Sequence, residues 1–440
     1  MTDRKISIVG IGKLGMPMTA CFASKGYDVI GVDVNPEIVR KVNEGISPVF
    51  EPHLDDLFRN YRGRIKATVS FEEAISNSSQ TFLIVPTPSE GEGGFSLKYV
   101  LSACEKIGKA LAAKKDFHLL VLTSTVLPGA TAGEVVPCLE KHSGKKCGAD
   151  FGLCYNPEFI ALGSVIRDIL NPDFVLIGES DPRSGDTLEA FYRTICENNA
   201  PITRMNWVNA EITKIAVNTF VTTKISYANM IAEICERLPN ADAEVVTRAL
   251  GMDTRIGKKY LKGALGYGGP CFPRDNIAFS FMSGKLGVKA AIAEATDAIN
   301  RRQLKRLEEK VLSELPSKGI VGVMGLAYKP GTNVIERSQG FELVQNLVSK
   351  SVPLVLYDPF AMENVRGVLG GQVMFATSAR DCARRVSVLV VTIPCEEFKE
   401  IVPEDLKRSG AEPLLIDCWR LFDPAKFKDV CRYVAMGTGK

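Results

Sequence analysis

Three glycines, Gly10, Gly12 and Gly15, stand directly behind the apolar run Lys5–Val9 and open a helical pattern that ends near Lys25 and Gly26. This G-x-G-x-x-G between a strand and a helix restricts the fold more than any other feature of the chain. The first glycine permits a tight turn and the second lets backbone approach a pyrophosphate. The third lets helix and strand pack closely, with the phosphates at the helix N-terminus. The next strand-like run, Tyr27–Val32, ends in Asp33, 23 residues after Gly10. An acid there accepts hydrogen bonds from ribose hydroxyls and repels the extra phosphate of NADP, so NAD is the expected cofactor.

Short apolar runs alternate with helical patterns at both ends of the 440-residue chain. Toward the N-terminus they are Ile6–Val9, Val29–Val32, Phe82–Val85, Leu119–Thr123 and Phe174–Ile177; toward the C-terminus, Ile320–Met324, Leu354–Tyr357, Val386–Val391 and Leu414–Ile416. Each set reads as buried parallel strands joined by crossover helices. Between them the segment from Asn206 to Leu238 carries Ile212, Ile215, Ala216, Phe220, Ile225, Ala228 and Ile231 at helical spacing, uninterrupted until Pro239. About 30 helical residues span roughly 45 Å, enough to connect two domains and to carry a dimer contact. The expected fold is α/β: two doubly wound Rossmann-like domains joined by a long central helix. The expected domains are 1–205, binding NAD, 206–300, helical, and 301–440.

Composition removes several alternatives. With 54 basic and 51 acidic residues the net charge is +3, too balanced to argue for nucleic acid or a membrane surface as partner. The 12 cysteines are scattered without a CxxC pair, and there are three histidines, which fits neither a zinc site nor a disulfide scaffold. No metal is expected. The N-terminus lacks a hydrophobic signal region, and no apolar run reaches the ~18–20 residues of a membrane helix, so a cytoplasmic protein with reduced thiols is expected.

The most informative segment is GALGYGGPCFPRDN, residues 263–276, with four glycines and two prolines around Cys271. Glycines let backbone approach a ligand and prolines stiffen the loop, so Cys271 is a candidate nucleophile, with Arg274 and Asp275 close behind. On the central segment Glu211, Lys214 and Asn218 share one helix face, a pattern that is most often simply solvated. Val85-Pro86-Thr87-Pro88, Ser124-Thr125-Val126 and Asn156-Pro157-Glu158-Phe159 each follow an apolar run. Loops at the carboxyl ends of parallel strands face the ligand crevice, where hydroxyls can bond a ligand and a carboxylate can act as a base.

Taken together, these segments resemble the UDP-glucose/GDP-mannose dehydrogenase family over nearly the whole chain. The matching motifs are Gly10–Gly15 with Asp33, VPTP, STV, NPEF, AEITKIAVNTF, RIG at 255–257, GYGGPCFPRD, GLAYKPGT and YDP at 357–359. The resemblance implies a C-terminal domain that binds the nucleotide diphosphate and at least a homodimer. It makes Cys271 the nucleophile, with Lys214, Asn218 and Asp275 around the reacting carbon. Glu158 would activate the hydrolytic water and Thr125 would hold it. Thr87, Thr125 and Arg337 join the glycines and Asp33 at the cofactor, while Arg255, Tyr260, Gly268 and Lys329 join Glu158, Lys214 and Asn218 at the nucleotide sugar. Arg255 would reach the neighbouring subunit's site.

The chain departs from the family at two places. Leu162 stands where a second glutamate is usual, and the Ile-Arg-Glu-Ser segment reads Ile335-Glu336-Arg337-Ser338. NPEF and the cysteine loop look most like UDP-glucose enzymes, since N-acetylhexosamine enzymes usually carry Arg where Phe159 stands. GDP-mannose and N-acetylhexosamine substrates remain alternatives, as does a two-electron hydroxyacid dehydrogenase or a non-catalytic nucleotide-binding protein. If Asp33 reads the ribose, kcat/KM should strongly favour NAD over NADP. Equal efficiency with both in a steady-state NADH/NADPH assay would remove that role.

Overall fold

The computed structural model describes residues 4–407 and 412–439. The chain divides into two compact units, Met1–Ala216 and Val217–Lys440, with the division inside the helix Trp207–Cys235. The first unit holds β1 (Lys5–Val9), β2 (Asp28–Val32), β3 (Ile65–Thr68), β4 (Gln80–Leu83), a small hairpin of β5 (Ser89–Glu90) and β6 (Gly94–Phe95), then β7 (Leu119–Leu122), β8 (Gly152–Tyr155), β9 (Val175–Glu179) and β10 (Ile202–Met205). Its main sheet has the order β10-β9-β8-β7-β4-β1-β2-β3. Alternation along β1 sends Ile6 and Ile8 to one buried face and Val9 to the other, so both faces carry a core.

One strand departs from expectation. The apolar run at 174–177 predicts a parallel strand, yet β9 runs antiparallel to β8. An antiparallel neighbour starts at the end of the sheet where its partner stops, so its connection need not cross back over a face. The segment after Tyr155, with Glu158 and the helix Val165–Leu170, therefore stays at the carboxyl end of β8. Glu51, 6% exposed, pins it there by accepting from the Gly163 and Val165 amides at 2.9 and 2.8 Å.

The second unit holds β11 (Val321–Met324), β12 (Leu354–Tyr357), β13 (Met374–Phe375), β14 (Val388–Val391), β15 (Leu414–Asp417) and β16 (Arg432–Ala435), all paired in parallel in the order β13-β12-β11-β14-β15-β16. The same device opens both sheets. A Cβ on Gly15 would lie 1.8 Å from the Gly10 carbonyl oxygen, and one on Gly340 would lie 2.2 Å from that of Gly325. In each, a helix is drawn against the turn that leaves the first strand of its sheet, a distance only glycine permits.

The helix Trp207–Cys235 buries Ile215 and Ala228 as their spacing predicts, but it buries a polar stripe with them. Glu211, Lys214, Asn218, Thr222, Ser226 and Asn229 are buried, while Ile212 and Phe220, read from spacing as apolar-face residues, are exposed by 41% and 67%. The polar stripe is thus not a solvated face. Glu211, fully buried, accepts from the amides of Gly129 at 2.6 Å and Thr131 at 2.9 Å, and so ties the segment after β7 to the helix. Glu211→Ala would leave both amides without that acceptor and should destabilise the protein by about 3 kcal/mol in urea unfolding, with Glu211→Gln costing less. A change below about 0.5 kcal/mol for Glu211→Ala would contradict this anchoring.

Candidate active site

The glycine turn after β1 is shaped for a dinucleotide. Gly10 has φ +93°, and a Cβ there would lie 2.2 Å from the Ile84 carbonyl oxygen, so no side chain fits. A Cβ on Gly12 meets nothing within 4 Å: open space lies over that backbone, as an approaching pyrophosphate requires. Asp33 at the end of β2 is aimed by two amides, Ile11 at 3.3 Å and Asn35 at 2.9 Å. Thr87 is buried and donates to the Thr125 carbonyl oxygen at 2.8 Å. Ser124, which the sequence did not single out, accepts from the Val85 amide at 2.9 Å and donates to the Val85 carbonyl at 2.7 Å. The two loops are thereby clamped together, with Thr125 half-buried between Ser124 and Val126. The residues present fit a bound NAD.

Lys214 and Glu158 meet in the same unit. The Lys214 ammonium donates to the Glu158 carbonyl oxygen at 2.6 Å and lies 4.6 Å from the centroid of the Phe159 ring. Phe159 in turn packs against Phe174, the rings tilted by 38° with centroids 4.7 Å apart. The Glu158 carboxyl faces Tyr192, whose hydroxyl lies 3.1 Å from Oε1 and 2.5 Å from the Asn156 Oδ1. Burial pushes the Glu158 carboxyl up to about 7, against the opposing effects of Tyr192 and Lys214. A carboxylate in that range suits a general base near neutral pH. Tyr192 carries no signal in the sequence because it sits in the last turn of the helix Pro182–Ile195 with no motif around it.

In the second unit Cys271 is the residue before the helix Phe272–Lys285, and its carbonyl oxygen accepts from the Asp275 amide at 2.8 Å. All twelve cysteines are thiols, and Cys271 alone is exposed. Burial raises the others that shift, Cys21 and Cys382 to about 12, which disfavours their thiolates. Cys271 instead stands at the N-terminal end of a 14-residue helix, the end where the backbone dipole is positive. Asp275 is buried and accepts from Asn218 Nδ2 at 2.6 Å and from Arg274 Nε and Nη2 at 3.1 and 3.0 Å. The sequence had placed Arg274 beside Asp275 without this role.

The loop before Cys271 is held by side chains that no motif marked. Asn229 accepts from the Ala264 amide at 2.9 Å and donates to the Leu265 carbonyl at 3.0 Å; Asn300 donates to the Tyr267 carbonyl at 3.0 Å, Gln303 donates to the Ala264 carbonyl, and the Tyr267 hydroxyl donates to Asp297. Gly268 admits the Arg337 carbonyl oxygen, 2.2 Å from where a Cβ would sit, and Gly269 admits the Tyr328 ring at 2.5 Å. The neighbouring Lys329 ammonium lies 5.9 Å from the Tyr328 ring centroid. Arg337 itself is exposed, at φ +50°, with its guanidinium 3.9 Å from Glu342. Arg255 is exposed and forms a two-pronged pair with Asp253, and Tyr260, at φ +63°, meets the Phe272 ring edge-on at 6.4 Å. Among the described residues no group of His, Cys, Asp and Glu could hold a metal ion, and no helix is long and apolar enough to cross a membrane.

Models of the UDP-glucose/GDP-mannose dehydrogenase family match in chain order: its NAD binding domain at residues 4–196, its central domain at 208–302 and its UDP binding domain at 322–424. The chain is 35% identical to the UDP-glucose 6-dehydrogenase AglM of Haloferax volcanii, over 95% of this chain and 97% of that one. It is 36% identical to the GDP-mannose 6-dehydrogenase of Pseudomonas putida, over 82% and 81%. A UDP-glucose dehydrogenase structure from Pyrobaculum islandicum superposes with a TM-score of 0.88 at 32% identity, covering 98% of this chain and 96% of that one. This chain, an NAD-dependent nucleotide-sugar dehydrogenase by its domains and relatives, belongs to the UDP-glucose/GDP-mannose dehydrogenase family.

Proposed function

We propose that this enzyme oxidises the primary alcohol of a nucleotide sugar to the carboxylate, with UDP-glucose as the substrate and Cys271 as a covalent nucleophile. The observation that carries the reading is that the one exposed cysteine stands at a helix N-terminus, in a loop braced from two helices. NAD, when bound, supplies the hydride acceptor in both oxidation steps. The alcohol proton leaves to a base as the first hydride departs. The Cys271 thiolate then forms a bond to the aldehyde carbon, and the resulting oxyanion is stabilised by Lys214 and Asn218 before protonation to a thiohemiacetal. Asp275, pinned by Arg274, holds the Asn218 amide in place. Departure of the second hydride, with the thiohemiacetal hydroxyl proton released to solvent, leaves a thioester. Glu158 takes a proton from a water held by Thr125, the water oxygen bonds to the thioester carbon, and the C–S bond breaks to release the acid and the thiolate.

The choice of UDP-glucose rests on Phe159. Its ring lies under the Lys214 ammonium, where the arginine usual in N-acetylhexosamine enzymes would set two cations together. GDP-mannose is the second reading, favoured by the equally similar Pseudomonas putida relative. Arg255, Tyr260 and Lys329 are assigned to the nucleotide sugar, with Arg255 reaching a neighbouring subunit, and Arg337 to the cofactor. The exposed side chains of Phe220, Tyr227 and Ile234, seven residues apart on the central helix, form an apolar stripe that a second copy would cover, so the enzyme is read as at least a homodimer.

Three outcomes are expected. Wild-type enzyme should form two NADH per UDP-glucose, and Cys271→Ser should still bind both ligands while acid formation falls on the order of 10³-fold. Near-normal uronate from Cys271→Ser would remove the covalent role of Cys271, and one NADH per sugar would return the enzyme to simple two-electron oxidation. Sedimentation at micromolar concentration should show a dimer or larger species. A fully active monomer would remove the dimer and the assignment of Arg255 to a neighbour.

A further inference from the structure

Behind Glu158 lies a hydroxyl with one proton and two acceptors. The Tyr192 oxygen is 2.5 Å from Asn156 Oδ1 and 3.1 Å from Glu158 Oε1. The Asn156 amide cannot turn to offer its nitrogen, because Nδ2 donates to the Leu176 carbonyl at 2.8 Å. Tyr192 is 3% exposed and Asn156 2%, so solvent does not resolve the competition.

We propose that Tyr192 is a positioning residue for the hydrolytic half of the reaction: its hydroxyl fixes one carboxylate oxygen of Glu158 and stabilises the ionised form that takes the proton from water. The inference rests on the reaction proposed above. With Glu158 protonated, the carboxyl donates to the Tyr192 oxygen and Tyr192 donates to Asn156, so all three groups are satisfied. With Glu158 ionised, the Tyr192 proton turns to the carboxylate in a charge-assisted bond, the stronger of the two arrangements. Oε1 is committed in both states, which leaves Oε2 for water.

The groups that face this carboxyl come from several elements. Tyr192 lies on the helix Pro182–Ile195, with Cys196 just beyond it; Cys21 comes from the helix Gly15–Ser24; and Lys214 comes from the central helix. Burial raises Cys196 to about 11 and Cys21 to about 12, so both stay neutral through the range where Glu158 titrates. Lys214 favours the ionised carboxylate from the side of its main chain, and burial opposes it, for a Glu158 value of about 7. Tyr192 acts in the same direction as Lys214. Its loss therefore raises the pH at which the base becomes competent.

The test uses the full-length enzyme with NAD and the nucleotide sugar it turns over, measuring kcat for acid formation from pH 5 to 9. In the wild type kcat should fall as pH drops through about 7. Tyr192→Phe should move that limb up by about one pH unit, a tenfold loss of rate below it, with KM for both ligands nearly unchanged. Intact mass spectrometry should show the thioester on Cys271 accumulating in this variant. Replacing Tyr192 by 3-fluorotyrosine keeps the shape and the hydroxyl but makes it a better donor, and should move the limb to lower pH. This second enzyme decides the matter if the phenylalanine variant does not fold. An unmoved limb in the fluorotyrosine enzyme, or a uniform loss of rate at every pH in Tyr192→Phe, overturns the role of Tyr192. A wild type that forms no adduct and yields one NADH per sugar overturns the proposed reaction instead.

Discussion

The helix Trp207–Cys235 buries its polar stripe, and the rest of the molecule is arranged to satisfy it. A buried carboxylate or amide without a partner costs several kcal/mol, so each residue of the stripe must be met. Glu211 is met by the amides of Gly129 and Thr131, Lys214 by the carbonyl of Glu158, Asn218 by Asp275, and Asn229 by the backbone of Ala264 and Leu265. Each of these partners lies in a segment that the proposed chemistry uses, so the bonds that stabilise the helix are also the bonds that position the reactive loops. The apolar residues displaced to the opposite face, Phe220, Tyr227 and Ile234, are left to solvent in a single chain.

Glycine plays the complementary part. At Gly10, Gly15, Gly325 and Gly340 it lets a helix close against a strand end, and at Gly268 and Gly269 it lets the cysteine loop close against Arg337 and Tyr328. The contacts at Gly268 and Gly269 explain why a loop so rich in glycine is not floppy here. The residues are small because neighbouring backbone and a ring occupy the space, and three amide side chains hold the carbonyls and an amide between them.

How much of this could be read from residues alone depended on burial. The strands found from apolar runs, β1, β2, β4, β7, β8 and β9 in one sheet and β11, β12, β14 and β15 in the other, are the interior strands. Those missed, β3, β10, β13 and β16, are the four edges, apart from the short hairpin. An edge strand has one neighbour and half-exposed faces, so sequences such as IKAT and RYVA carry no continuous apolar signal. The direction of β9 was missed for a different reason: strand polarity is set by where the preceding connection runs, and nothing in VLIGE records it.

The sequence by itself determined the Rossmann turn, the acidic residue that follows β2, the cysteine loop and the family, because these depend on residue types at short spacings that local backbone geometry demands. Only the tertiary structure decided which polar residues matter around them. Tyr192 is 34 residues from Glu158, Glu211 is 80 from Thr131, and Asn218 is 57 from Asp275. A helical tyrosine or asparagine looks the same in sequence whether it faces water or a carboxylate, since its meaning comes from the partner that folding brings to it.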